Sequence, residues 1–150
     1  MNRDDMTRNL GLIGEKIVIN HYSRLGGIVE HSINSYDNKK DLVVDGKTVE
    51  VKTQVPWISE NSFTIKPNQL RKCRNVDELI FISVPAPRHK DKWSGWMFSA
   101  DPKKFKVKSY TTNDGREMVL IPRDQDALTP LRKLSENELS ELTKYTVSGY

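Results

Sequence analysis

Asp41, Glu50 and Lys52 fall in one short stretch, Asp41-Leu-Val-Val-Asp-Gly-Lys-Thr-Val-Glu-Val-Lys52, that reads as a tight hairpin. Asp45-Gly46 is the turn signal, because a two-residue type I′ loop requires positive φ at both central positions. Such a loop pairs 44 with 47, 43 with 48, 42 with 49 and 41 with 50. Asp41 and Glu50 then face each other with Cβ atoms about 5 Å apart. Lys52 shares their face because strand side chains alternate. Leu42, Val44, Val49 and Val51 make the opposite face wholly apolar. A four-residue loop would pair 41 with 52 and 43 with 50 and still keep the three polar residues together. A three-residue loop would separate them.

Two carboxylates placed opposite each other repel, so stability alone would not select the arrangement. A bound cation removes the penalty. Hard oxygen donors at this spacing suit Mg²⁺, which takes one or two carboxylates and leaves its other positions to water and phosphate. The nearby lysine supplies a charge for a phosphate, or a proton path for an attacking water. The plain alternative is a charged, solvated hairpin face. The clean apolar alternation behind it, and Glu15 upstream, favour the metal.

The flanking sequence must position this hairpin. Residues 7–25 read as a helix, with Thr7 as its cap and Gly26-Gly27 as its stop. Leu10, Ile13, Ile17, His21 and Arg24 recur at helical spacing with Gly14 on the same stripe, which widens through Val18 and Leu25. Glu15 lies on a flank shared with Tyr22, and that flank either meets solvent or overlooks the hairpin. Residues 28–32 read as the first strand, 41–45 and 46–54 as the hairpin, and Pro56 as its stop. Residues 63–66 form a short extended piece. Pro67 opens a helix over 67–75, with Leu70 inward and Arg71, Lys72 and Arg74 outward. The near-continuous apolar run Glu78–Val84 implies a strand buried on both faces, and Trp96–Ser99 reads as the next.

Beyond residue 102 the pattern changes. Lys103, Lys104, Lys106 and Lys108 alternate with Phe105 and Val107 like a strand with cations on one edge. Asn113-Asp114-Gly115 then turns into Glu117–Ile121, which suggests a second hairpin. Residues 130–145 read as a closing helix or helical pair carrying Leu131, Leu134, Leu139 and Leu142. Ser135 followed by Glu138 is a capping-box signature for its second part.

Composition sets outer bounds. A chain of 150 residues is one domain by the usual size prior and long enough to bury a core. Lys plus Arg total 24 against 20 for Asp plus Glu, giving net +4 and a pI of about 9.1. That excess is compatible with a phosphate-bearing partner without demanding one. The single cysteine, Cys73, rules out an intrachain disulfide framework and a Cys-based zinc site. Its basic neighbours would lower the thiol pKa, though a buried structural thiol is the better expectation. No apolar run approaches membrane-spanning length, and the N-terminus lacks a signal peptide's apolar stretch, so a cytoplasmic protein is expected. The histidines His21, His31 and His89 lack metal-ligand spacing. There is no phosphate-cradling Gly loop, H-E-x-x-H or G-x-S-x-G.

Asp41, then Glu50-Val51-Lys52 after a short turn, preceded by a helix carrying Gly14-Glu15, resembles the PD-(D/E)XK nuclease superfamily. Within it the layout is most similar to compact Holliday-junction-resolvase-like and phage or mobile-element endonucleases. The resemblance covers about residues 7–99 and rests on the element order helix, strand, hairpin, helix, strand. The motif's Pro is replaced by Lys40, at a position that varies in such enzymes. The resemblance implies an α/β fold with a restriction-endonuclease-like core: a mixed central β-sheet flanked by helices, plus an accessory hairpin and helix over about 102–145. It implies DNA phosphodiester hydrolysis with Mg²⁺, for which Mn²⁺ would substitute. Asp41, Glu50 and the Val51 carbonyl would hold the metal. Glu15 would hold a metal-bound water or a second metal, and Lys52 would orient or deprotonate the attacking water. Cutting both DNA strands implies a homodimer.

Basic clusters are the expected phosphate contacts. Lys39-Lys40 adjoin the hairpin, and Arg88, Lys90 and Lys92 share a loop with Trp93. Gln54 continues the face of Glu50 and Lys52 and would position substrate or water, or simply end the strand. Trp57 would stack on a base or, as the more ordinary reading, anchor a loop. The rival function is a nucleic-acid-binding protein of the same fold without catalysis.

Overall fold

The computed structural model describes residues 2–33, 40–58, 61–86 and 92–146, with residues 3, 32, 33, 40 and 41 described by their backbone alone. The chain opens with helix α1 (Arg3–Arg24). It begins earlier than the Thr7 cap would allow. Asn2 is the cap, its side chain accepting the Asp5 N–H at 2.8 Å, and Asp4 and Asp5 sit in the first turn where the helix dipole favours acids. Gly26, at φ 83°, takes the left-handed position that ends the helix.

Three strands follow, β1 (Val29–Ile33), β2 (Lys40–Val44) and β3 (Lys47–Gln54), then β4 (Ser62–Ile65), α2 (Pro67–Asn75), β5 (Glu78–Ser83) and β6 (Trp96–Ala100). The chain continues through β7 (Lys108–Thr111), β8 (Glu117–Pro122), β9 (Leu128–Lys133) and α3 (Glu136–Thr143). The central sheet has the order β1-β2-β3-β5-β6-β9. Neighbours are antiparallel except β3 and β5, which run parallel. A parallel pair needs a long crossover, and here β4 and α2 provide it.

The C-terminal hairpin forms as expected, but it does not stand apart. β4 pairs with β8, making a second sheet of order β4-β8-β7. Phe63 of β4 stacks on Phe81 of β5 at 4.3 Å between ring centroids and meets Phe98 of β6 edge-on at 5.4 Å. Two further expectations are corrected. The Lys103–Lys106 stretch is turn and loop rather than strand, because the Lys104 and Phe105 amides both bond the Asp101 carbonyl; only Lys108 enters β7. The first part of 130–145 is β9, an edge strand of the central sheet. Pro130 is tolerated there beside a bulge at Met97/Phe98, whereas it would interrupt a helix. Only Glu136–Thr143 is helical, and its Ser135–Glu138 capping box is present.

The sheet separates two cores. On one face α1 and α3 cover Leu42, Val44, Val49, Ile80, Ile82 and Met97. On the other, α2 and the small sheet enclose Leu79, Phe81, Phe98, Phe63 and Ile121. α1 lies unusually close to β3: a Cβ at Gly14 would fall 1.7 Å from Thr53 Oγ1. Among the described residues, no helix is long and apolar enough to cross a membrane.

Candidate functional site

The hairpin turn is the one its sequence requires, with φ of 51° at Asp45 and 79° at Gly46. Asp45 is further fixed by its carboxylate, which accepts the Ile28 N–H at 2.8 Å. The ladder pairs Val44 with Lys47, Val43 with Thr48 and Leu42 with Val49. The described β2–β3 pairs stop there, one step short of the expected pairing of 41 with 50, and the Asp41 side chain lies outside the described residues. Residues flanking a two-residue loop exchange both backbone bonds, so 47, 49 and 51 turn their N–H and C=O groups towards β2. Among the described pairs this ladder ends at Leu42–Val49, so Val51, two residues on, directs its backbone groups to the β2 side beyond the last described pair.

Glu50 and Lys52 come together on the α2 side of the sheet. Lys52 Nζ lies 3.3 Å from Glu50 Oε1, and Lys72 Nζ of α2 lies 3.4 Å from Glu50 Oε2. Lys52 also donates to Gln69 Oε1 of α2 at 2.9 Å. The Glu50 and Lys52 side chains are only 16% and 18% exposed, so the carboxylate and ammonium are largely shielded but still reachable. Contacts of 3.3 and 3.4 Å are longer than tight charge-assisted bonds, which run about 2.7–2.9 Å. Neither carboxylate oxygen is therefore locked to an ammonium. Beneath them Cys73 is fully buried, and burial raises its thiol pKa more than the nearby Lys52 ammonium lowers it. The structural thiol is what the fold contains.

Glu15 does not join this group. Gly14 abuts Thr53, whose side chain alternates to the face opposite Lys52 and Gln54. The Glu15 carboxylate sits instead 3.2 Å from His31 Nε2, with both side chains over a third exposed. His31 pairs with Leu42 in the β1–β2 register, on the α1 side. The docking of α1 thus puts the sheet between Glu15 and the Glu50–Lys52 pair.

Gln54 is also reassigned. Its Oε1 accepts the Thr64 N–H at 2.6 Å and its Nε2 donates to the Thr64 carbonyl at 2.5 Å, so the amide bridges β3 to β4 and is spent on the backbone. Lys39, Arg88 and Lys90 lie outside the described residues, as does the side chain of Lys40. Lys92 is exposed, with Nζ 5.0 Å from the Trp93 ring centroid. Its turn precedes Trp96, which pairs with Ser83, itself paired with Gln54. Lys92 therefore stands at the same end of the sheet as Gln54.

Gln69 and Lys72 were not singled out from sequence as site residues, and Lys72 was expected to point outward. The signal was present: Pro67 fixes the start of α2, and residues three apart share a helix face. Among the described residues no group of three or more His, Cys, Asp or Glu side chains is placed to hold a metal ion. The hard-oxygen donors among the described residues are the Glu50 carboxylate and the Val51 carbonyl, with position 41 one step beyond the last β2–β3 pair. That hard-oxygen set fits Mg²⁺ or Mn²⁺. Comparison with family models, curated proteins and solved structures finds no match for this chain.

Proposed function

We propose that the protein is a metal-dependent endonuclease that hydrolyses DNA phosphodiester bonds on a restriction-endonuclease-like core. The observation that carries the reading is the pairing of Glu50 with Lys52 on one shielded face, 3.3 Å apart, with the Asp41 position next in register. The order helix, strand, hairpin, helix, strand supports it, with β5 parallel to β3 beside the site.

Asp41, Glu50 and the Val51 carbonyl would hold a divalent cation. When bound, such an ion supplies a Lewis acid for the scissile phosphate and an acidified water. The chain's own residues do the rest. Gln69 holds the Lys52 ammonium from one side and Glu50 from the other, which aims its remaining proton at an incoming phosphate oxygen or water. Lys72 adds a second cation at the same carboxylate and offsets phosphate charge. Glu15 lies outside this set. A homodimer would present two such sites to the two strands of a duplex.

The test is Mg²⁺-dependent cleavage of a panel of junction, flap, duplex and single-stranded DNA. Native protein should cut at least one substrate, while Glu50→Gln and Lys52→Ala should each lose cleavage by at least about 100-fold, the lower end of what a positioned proton-transfer group contributes. Undiminished cutting by both variants would overturn the mechanism. A second reading, a nucleic-acid-binding protein without catalysis, is favoured by one observation: both Glu50 oxygens already face ammoniums. Calorimetric Mn²⁺ binding that disappears in Glu50→Gln favours the nuclease, and its absence from native protein favours the binder.

A further inference from the structure

Beyond Lys52, a cleft of about 570 Å³ opens between the N-terminal half of α1 and the corner where β4 meets α2. Its size falls within the roughly 300–1,000 Å³ typical of small-molecule sites. Lys52, Lys66 and Arg116 line it, and no carboxylate does among the described residues, although acids nearly balance bases over the whole chain. Asp114, outside the lining, lies 3.1 Å from the Arg116 Nε, with both side chains exposed. Trp57 stands at the rim, 40% exposed, with the Arg116 guanidinium 5.8 Å from its ring centroid. The walls between mix apolar Leu10, Ile65 and Met118 with the polar side chains of Thr7, Thr64 and Gln69. The N-terminus of α2 abuts the same wall at Lys66 without a side-chain cap, adding partial positive charge.

Three cations around a slot of mixed polarity, with an exposed indole at its rim, match a planar, hydrogen-bonding aromatic group that carries an anion. A nucleotide has that chemistry, with a base to stack and a phosphate to pair. Bases inside a duplex are stacked on both faces and offer none to Trp57. We infer that this cleft takes one unstacked nucleotide of a DNA strand, its base on Trp57 and its phosphates between Lys66, Arg116 and Lys52. This rests on the nuclease reading for its consequence: the substrate carries an unpaired nucleotide next to the bond that Glu50 and Lys52 address.

Gly11 supplies a probe of the slot. It lines the cleft, and a Cβ there would meet nothing within 4 Å, so the first carbon of a larger side chain is accommodated and its extension is expected to narrow the slot. Binding is measured by fluorescence anisotropy in EDTA, with a labelled short oligothymidine and a blunt duplex of the same length. Native protein should bind the single strand more tightly than the duplex. Trp57→Ala should weaken single-strand binding roughly tenfold, within the range for one base–aromatic stack; Gly11→Met should weaken it similarly, and Trp57→Phe should largely retain it. Equal affinity for both DNAs, or an unchanged single-strand affinity in Trp57→Ala, would overturn the inference. The two readings fail separately. Trp57-dependent binding with no Mg²⁺-dependent cleavage of any substrate removes the nuclease and leaves the cleft. Cleavage of paired duplex at the native rate by Trp57→Ala removes the cleft and leaves the nuclease.

Discussion

Gly11 and Gly14 stand one turn apart on α1, yet alanine at each should move stability in opposite directions. In a helix interior, Gly→Ala gains about 1 kcal/mol from reduced backbone freedom in the unfolded chain. At Gly11 nothing opposes that gain, because a Cβ would meet no atom within 4 Å. At Gly14 the new methyl would lie 1.7 Å from Thr53 Oγ1, 2.8 Å from its Cβ and 3.0 Å from its Cγ2. Rotating Thr53 about χ1 removes the oxygen but leaves its Cβ in place, so α1 must also retreat from β3. Off-rotamer strain of about 0.5–1.5 kcal/mol and overpacking of about 1–3 kcal/mol outweigh the helix gain. The expected net loss for Gly14→Ala is about 1–3 kcal/mol.

Urea unfolding followed by far-ultraviolet circular dichroism reads both changes. The double variant Gly14→Ala, Thr53→Ala sharpens the reasoning, since truncating Thr53 removes the Oγ1 and Cγ2 contacts but not the one at 2.8 Å. Thr53 Oγ1 is also buried with no hydrogen-bond partner among the described residues, so its loss costs little. The double variant should therefore recover part of the stability and not all of it, a favourable coupling of about 1 kcal/mol or more. Glycine variants that shift in the same direction, or a second change that adds without coupling, would refute the proposed contact between α1 and β3.

Two other predictions concern stability and burial. The Arg132 guanidinium grips Glu138 through two bonds of 2.7 and 2.8 Å and holds its carboxyl down to about 2 from 4.5. Stabilisation of about 3 kcal/mol at most is then fully present above pH 4.5 and lost as pH falls towards 2. Burial and Arg132 also lower the His21 pKa, so stability begins to decline below the ordinary histidine range; Arg132→Ala should cost about 2 kcal/mol at neutral pH and flatten the acid limb, measured by thermal melts against pH. Cys73, fully buried with its thiol pKa raised, should react with an aromatic disulfide reagent only as fast as the protein opens. Rapid labelling in native buffer would contradict the burial.

The parts legible in the sequence were those decided locally. The alternation of Leu42, Val44, Val49 and Val51 admits either a two- or a four-residue loop, and the Asp45-Gly46 turn signal chose the first. Pro67 set the start of α2, and the apolar run at Glu78–Ser83 announced a buried strand. What was not legible depended on distant partners. Leu131, Leu134, Leu139 and Leu142 mimic a helical face, but Leu131 belongs to β9 and points outward at 40% exposure. The role of Gln54 is decided by β4, whose own partner β8 lies far along the chain. The side of the sheet that Glu15 occupies follows from where Gly14 meets Thr53, a contact with no sequence signature beyond the glycine itself.

The charges around Glu50 connect the two halves of the functional reading. One shielded carboxylate faces two ammoniums, an excess of one positive charge in a partly desolvated place. Asp41 is the residue whose register position would balance it. On the proposed reading Asp41 would make the group neutral, and a bound divalent cation would make it a receptor for phosphate, with Lys66 and Arg116 lining the adjoining cleft. Without the cation the lysines satisfy Glu50 by themselves. A fold that keeps a lysine on each of two separate elements at one carboxylate has therefore no need of the ion to be stable. Metal affinity should accordingly be set by how readily Lys72, 37% exposed on α2, gives way, while Lys52, only 18% exposed and tethered to Gln69, stays in place.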